Sequence, residues 1–426
     1  MKVTRGFYRC VFPLAEPLAA LYLLKRSLKQ KDYLKGWGER FGFAGAPVFK
    51  EAGRTIWVHA VSVGETNAAL PLIKALLNGY PDVNILLTHM TPTGRDAGEK
   101  IAALSPGRVL QMYLPYDSAS NAAHFFDTVK PVLGIVMETE VWPNILHEAK
   151  RRGIPTVLAN GRLSEKSLRA ALRFMPLMGG AYADFTVICA QDASDAKRYL
   201  KLQDKPPVVT GSVKFDAALD AAQCEAAKRD KSGFTRKVVC LASSREGEEA
   251  LFIDAVRKNK RRDILYMIVV RHPQRFAAVE KLLTDAFIPY EKKSQTPFAE
   301  VSEKTALYLG DTMGEMAYFM TIADVVIMGG SFCGTGCQNV IEPALASCPV
   351  IVGPSTFNFA YVIEKGEEAG AILPAKDMQE ALNLALDTAS DPQKTKALGE
   401  KAFCYAQSLK GATRKTLEVI GRYLKK

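Results

Sequence analysis

Residues 55–77 read TIWVHAVSVGETNAALPLIKALL, and the fold turns on how that stretch is divided. Its first part, TIWVHAVSV, is a short apolar, β-branched run of strand length. Its second, TNAALPLIKALL, carries apolar residues at helical spacing. Gly64 and Glu65 stand at the handover. A strand passing into a helix through a glycine puts free helix N–H groups at the strand's carboxyl end, where open α/β sheets bind ligands. Glu65 has two readings there. It caps the helix, because acids favour the positive end of the helix dipole, or it is a functional carboxylate displayed at the sheet rim.

The same rhythm repeats along the chain. NILLTHM (84–90), RVLQMYLP (108–115), PVLGIVM (131–137), PTVLAN (155–160) and FTVICA (185–190) are strand candidates separated by helical stretches. The pattern falters between Pro206 and Gly233 and restarts with KVVCLASS (237–244), ILYMIVV (264–270), TALYLGD (305–311), ADVVIMGGS (323–331) and CPVIVGP (348–354). Alternation of this kind predicts an α/β protein with parallel sheets covered by helices. The expected divisions are an amino-terminal segment 1–30, an α/β domain 31–212, a second α/β domain 213–390 and a helical closing segment 391–426.

Composition narrows the partners. The 426 residues are 48% hydrophobic and 24% charged, a globular balance, with a net charge of +11. A basic surplus favours an anionic partner: nucleic acid, an acidic membrane face or a phosphorylated substrate. No zinc-finger spacing or aromatic RNA-binding signature accompanies it, so no nucleic acid partner is expected. Eight scattered cysteines without a C-x-x-C read as buried thiols of a reducing compartment. Phe7–Leu24 is apolar but carries Arg9 and Glu16 and is interrupted by Pro13 and Pro17; Lys25, Arg26, Lys29, Lys31 and Lys35 follow. Apolar residues backed by a basic cluster describe a segment that dips into a membrane and holds anionic headgroups. The alternative is a core helix with a solvated basic end. The positive-inside tendency would keep the body on the cytoplasmic side.

Candidate site residues fall at the ends of the strand runs. METEVWPN (137–144) sets Glu138 and Glu140 two residues apart, on one side of an extended chain. Arg95 and Arg162, in TPTGRDAG and ANGRLSEKS, suit phosphate contacts or surface salt bridges. VVRHPQRF (269–276) brings Arg271, His272 and Arg275 to a strand end. LGDTMGEM (309–316) offers the Met313–Gly314–Glu315 backbone to a phosphate, with Asp311 or Thr312 as alternative helix caps. GGSFCGTGCQNVIEPA (329–344) is a glycine-rich loop opening a helix with Asn339 and Glu342. Glycines allow close backbone approach, and a carboxylate in the first turn suits ribose hydroxyls.

The ordered set HAVSVGE, METEVWPN, NGRLSEKS, GSVKFD (211–216), RHPQRF, GDTMGEM, GGS…QNVIEPA and GPSTFNF (353–359) closely resembles the 3-deoxy-D-manno-octulosonic acid (Kdo) transferases of lipopolysaccharide biosynthesis, over nearly the whole chain. The resemblance implies a GT-B glycosyltransferase with two Rossmann-like domains facing a cleft and an amino-terminal membrane-associating segment. It implies inverting transfer from CMP-Kdo to a lipid A precursor, lipid IVA, with no cofactor and no metal, at the cytoplasmic side of the inner membrane. It assigns Glu65 as general base and Glu138 and Lys214 as transition-state residues. CMP falls to Val270, Arg271, Met313, Gly314, Glu315, Asn339, Val340, Ile341 and Glu342. The chain departs from the family pattern at three points. Gly336–Cys337–Gln338–Asn339 replaces a GGHN run, Arg245 stands where a histidine is usual, and Val270 replaces a common proline. Two other functions fit part of the sequence: a GT-B enzyme with a UDP-sugar donor, and a noncatalytic lipid-binding relative.

Overall fold

The computed structural model describes residues 3–45, 47–50, 52–216, 218–259 and 261–424. It resolves into two compact units, Met1–Ala217 with Lys410–Lys426, and Ala218–Leu409. The first holds a parallel sheet of β1 (Arg54–His59), β2 (Val83–His89), β3 (Val109–Tyr113), β4 (Leu133–Met137), β5 (Thr156–Gly161), β6 (Val187–Ala190) and β7 (Val208–Val209), in the order β3-β2-β1-β4-β5-β6-β7. The second holds β8 (Lys237–Ser244), β9 (Ile264–Val270), β10 (Tyr290–Lys292), β11 (Leu307–Gly310), β12 (Val325–Met328), β13 (Val350–Val352) and β14 (Ile372–Pro374), in the order β10-β11-β9-β8-β12-β13-β14. Every pairing is parallel. Both are doubly wound α/β sheets with a reversal of strand order, between β1 and β4 and between β8 and β12.

Residue alternation builds the two-sided core of the first sheet. In β1, Ile56 and Val58 face one cluster with Leu72 and Leu76 of the Val63–Gly79 helix. Trp57 faces the other, edge-on to Phe125 and Phe126. Trp57 is fully buried, so its indole N–H needs a partner; it donates to Thr88 Oγ1 at 2.8 Å. The strands are apolar on both faces because helices cover both.

The closing stretch, expected as one segment 391–426, is divided. Pro392–Ser408 belongs to the second unit, whereas Ala412–Leu424 returns to the first and buries Val419, Ile420 and Leu424 in its core. Asp216 fastens the return by accepting hydrogen bonds from the Gly411 and Thr413 amides.

The amino-terminal segment is one helix, Arg5–Ser27, which runs through Pro13 and Pro17 rather than breaking at them. Both prolines lie on its exposed side. The inner side is held by the Tyr8 hydroxyl donating to Asp117 (3.1 Å) and the Asn121 amide donating to Glu16 (3.0 Å). These anchors oppose the disruption that interior prolines cause. By length and composition the helix qualifies as a membrane span, yet its contacts lay it along the first unit.

Candidate active site

Glu65 lies in the first turn of the Val63–Gly79 helix, after β1, and is buried. Its Oε2 accepts from the Ser62 amide at 3.0 Å and the Ser62 hydroxyl at 3.3 Å. The carboxylate therefore does cap the helix, in the reciprocal arrangement of a capping box. The two sequence readings of Glu65 are not alternatives, because one oxygen suffices for the cap. Burial raises its pKa above the ordinary carboxylate range, Glu138 adds to the rise, and the Ser62 hydrogen bonds oppose it.

Glu138 and Glu140 are not placed by strand alternation as expected. β4 ends at Met137, and Glu138 takes the left-handed conformation, φ 56°. That conformation costs a non-glycine residue about 1 kcal/mol or more and persists only where surroundings enforce it. Here they do. The Glu138 carboxylate pairs with Lys214 Nζ at 2.9 Å and accepts from the Asn160 amide at 3.3 Å, while Asn160 Oδ1 accepts from the Val213 N–H at 3.2 Å. Asn160, at the end of β5, is itself left-handed, φ 55°. Glu138, Asn160, Val213 and Lys214 thus close a ring, and Asp216 ties the same turn to the Ala412–Leu424 helix. Glu140 feels Glu65: burial first, then the Glu65 charge, pushes its pKa up to about 7. The first sheet's switch point is an acid cluster with one lysine.

Of the other sequence candidates in this unit, Arg95 is committed to structure. It pairs with Glu39 at 2.6 Å and lies over the Tyr113 ring. The histidines of β1 and β2 are buried, and burial pushes the imidazoles down, to about 3 for His59 and about 4 for His89. They are neutral core groups.

In the second unit β11, β9, β8 and β12 lie side by side, so the three sequence motifs ending those strands share one rim. Glu248, which sequence reading passed over, organises it. Fully buried in the first turn of Glu248–Lys258, it accepts from the amides of Arg245 (2.9 Å), Gly330 (2.7 Å) and Phe332 (2.9 Å). Gly330 is left-handed, φ 78°, and a Cβ there would meet the Gly336 carbonyl at 2.3 Å, so the loop needs glycine at that turn. The acid run REGEE carried a signal: an acid one turn into a helix beside a glycine-rich loop is placed to hold that loop's amides.

Two of the departures from the family pattern are absorbed locally. Gln338 Oε1 accepts from Arg271 Nε at 3.3 Å, and Arg245 Nη1 lies 2.8 Å from His272 Nε2. Cys337 is buried, which pushes its thiol up to about 12 and leaves it inert. Val270 is the last residue of β9 with its side chain in the core, leaving its backbone at the rim. Asn339 Oδ1 accepts from the Ile341 amide at 3.1 Å. The Glu342 carboxyl is raised by burial and drawn down by Asn339 and Arg271. Gly314, φ 81°, is held through its carbonyl by the Gln223 amide at 2.8 Å, and the Thr312 hydroxyl bonds Glu315. Met313 is exposed. Asp311 is not a cap: it accepts from the Ser294 amide and hydroxyl.

Known proteins are similar to this chain along nearly its whole length. The family model described as 3-deoxy-D-manno-octulosonic-acid transferase (kdotransferase) matches residues 35–217. The 3-deoxy-D-manno-octulosonic acid transferase of Bordetella pertussis is 38% identical, covering 99% of both chains, and that of Haemophilus influenzae is 31% identical with the same coverage. Among solved structures, a glycosyltransferase from Rickettsia africae superposes with a TM-score of 0.60, covering 88% of this chain and all of the other. The UDP-GlcNAc 2-epimerase of Neisseria meningitidis gives 0.59, covering 86% of this chain and all of the other. Both are 14% identical and share the fold, the GT-B arrangement of two Rossmann-like sheets. The chain belongs to the 3-deoxy-D-manno-octulosonic acid transferases, the glycosyltransferases that add Kdo in lipopolysaccharide biosynthesis.

Proposed function

We propose that the protein transfers Kdo from CMP-Kdo to a lipid A precursor, lipid IVA, with inversion and without a metal or other cofactor, at the cytoplasmic face of the inner membrane. The observation that carries the chemistry is the buried Glu65 carboxylate, whose pKa is raised beside Glu138. An inverting transfer needs one base to take the acceptor hydroxyl's proton as that oxygen bonds the anomeric carbon of Kdo. The bond from that carbon to the CMP phosphate breaks in the same step, its electron pair leaving with CMP. A carboxylate with a raised pKa is the stronger base. Lys214 balances Glu138, so the charge that Glu138 brings to the cluster is compensated.

In the second unit Arg271 meets the CMP phosphate, with the backbone of Met313, Gly314 and Glu315. Glu342 takes the ribose hydroxyls, and Asn339, Val340 and Ile341 shape the turn that presents it. The amino-terminal helix brings the enzyme to its lipid acceptor through Leu14, Leu18 and Leu21, all exposed.

The test is direct. Purified protein, CMP-Kdo and lipid IVA, with a chelator present, should yield a Kdo-bearing product by mass spectrometry, with the inverted anomer by NMR. CMP, not UDP, should raise the melting temperature. Stabilisation by UDP alone would replace this reading with a UDP-sugar enzyme. Absence of both binding and transfer would point to a noncatalytic relative.

A further inference from the structure

Charge at the second unit's rim does not balance. Arg245 follows β8, and Arg271, His272 and Arg275 follow β9. Arg275 is committed. It pairs with Glu249 at 3.2 Å and Glu246 at 3.4 Å, and the fully buried Glu249 also accepts from the Ser244 hydroxyl at 3.0 Å. Glu248 is occupied by backbone amides. Arg271 bonds the neutral Gln338 and feels the Glu342 charge. Arg245 has no carboxylate partner among the described residues. Its Nη1 bonds His272 Nε2 at 2.8 Å, and its Nε is buried without a hydrogen-bond partner.

An imidazole can hold a guanidinium this way only when the ring is neutral, because Nε2 must accept. Burial first, then the charges of Arg245, Arg271 and Arg275, push the His272 pKa down. His272 therefore steadies Arg245 without cancelling its charge, and takes one of its five N–H groups. The backbone fixes the other end. The Arg245 amide donates to Glu248 at 2.9 Å, just after left-handed Ser243 (φ 54°), where the β8–β9 register shifts. Ser244 pairs with Val270, so Arg245 and Arg271 are the next residues out on adjacent strands, which run about 4.8 Å apart.

The donor named above has matching chemistry. Kdo is a 2-keto acid, so its anomeric carbon carries a carboxylate as well as the bond to the CMP phosphate. Both anions hang from a single carbon, whereas the two guanidiniums leave neighbouring strand ends. A carboxylate meets a guanidinium in a planar, bidentate fork that an ammonium cannot copy. We propose that Arg245 binds the carboxylate of the donor sugar, with His272 as its positioning residue, and so selects an acidic keto sugar over a neutral one. The inference rests on the CMP-Kdo reading and adds a subsite to it.

Two probes separate the subsite from the rest of the donor: CMP, which lacks the carboxylate, and CMP-Kdo, which has it. In full-length protein, Arg245→Gln should raise the KM for CMP-Kdo by about 10-fold or more, the loss expected for a charge-assisted contact. CMP affinity in calorimetry and the melting temperature should stay as in wild type. A contact made equally in the ground and transition states leaves kcat nearly unchanged. Arg245→Lys keeps the charge without the fork and should raise the same KM by about 3-fold; it carries the test if the Gln variant does not fold. His272→Leu, which removes the acceptor, should raise that KM, and His272→Gln, which restores one, should not. Equal KM values for these two would strip His272 of its role. Equal losses for CMP and CMP-Kdo in Arg245→Gln would give Arg245 to the phosphate and overturn the carboxylate assignment. An unchanged KM would overturn it as well. Wild-type protein that neither binds CMP nor uses CMP-Kdo fails the donor reading first, and the subsite falls with it.

Discussion

In the first unit strand order reverses between β1 and β4, and the loops leaving those strands carry Glu65, Glu138 and Glu140. In the second it reverses between β8 and β12, and the corresponding loops carry Arg245 and the glycine-rich run from Gly329 to Gln338. The location is the same in both sheets, because diverging crossovers open a crevice at the carboxyl ends of the strands. The chemistry is opposite. The first rim gathers acids whose mutual repulsion and burial raise their pKa values, as a base requires. The second turns its acid, Glu248, inward onto backbone amides and leaves arginines beside the glycines. Topology fixes where a rim opens, and the loop residues decide its charge: clustered acids on one, arginines beside glycines on the other.

The largest effect should come from the first rim. Glu65→Gln should lower transfer by about 10²–10⁴-fold while CMP affinity in calorimetry stays unchanged. Glutamine still completes a capping box, so melting should hardly move. Glu65→Ala, by contrast, loses the cap as well, about 1 kcal/mol. Weakened CMP binding in Glu65→Gln would break the separation of roles between the rims.

Glu248→Ala should do the reverse. It strands three buried amides and should destabilise the protein by about 3 kcal/mol, taking CMP binding with it. Retained CMP affinity at normal melting temperature would show that the glycine loop holds its shape unaided. Glu342→Ala sharpens the contrast further: CMP binding should weaken by about 1–3 kcal/mol, the value of a hydrogen bond to a charged group, with melting unaffected. Equal CMP affinity in calorimetry would remove Glu342 from the ribose.

The smallest effect concerns pH. Glu140 titrates at about 7 in the folded protein against ~4.3 in an unfolded chain. The folded state therefore holds the proton more tightly, and this group's contribution to stability falls as pH rises from about 4.3 to about 7 and is level above. Glu140→Gln should melt higher than wild type at pH 8, by several °C, with the gap closing at pH 4. Asp117, also raised to about 7 by burial, slopes the same way and remains in both proteins. A gap independent of pH would show that Glu140 is not ionising in that window.

Much of this was legible beforehand. Every interior strand of both sheets matches an apolar run visible in the sequence, because burial on both faces demands one. The three strands that were not recognised, β7, β10 and β14, are all edge strands of two or three residues. They are too short for periodicity and only partly buried. The placement of the candidate motifs was legible for the same reason as the interior strands: they sit at the strand ends. What sequence could not supply is conformation after the strand stops. Glu138 and Glu140 were read as two teeth of one extended chain, whereas the left-handed turn at Glu138 depends on Asn160 and Lys214, 22 and 76 residues away. Glu248 was overlooked because its partners are backbone amides, which leave no mark in composition.

The return of the Ala412–Leu424 helix to the first core bears on how the protein is made. During synthesis the first unit's strands emerge before the second's, but the surface that receives Val419, Ile420 and Leu424 stays uncovered until the whole second unit has left the ribosome. The unit made later has all its core residues in one continuous stretch and is free to finish folding first. The half that carries the acid cluster completes last, so nascent chains pass through a stage with an exposed apolar strip and need protection there.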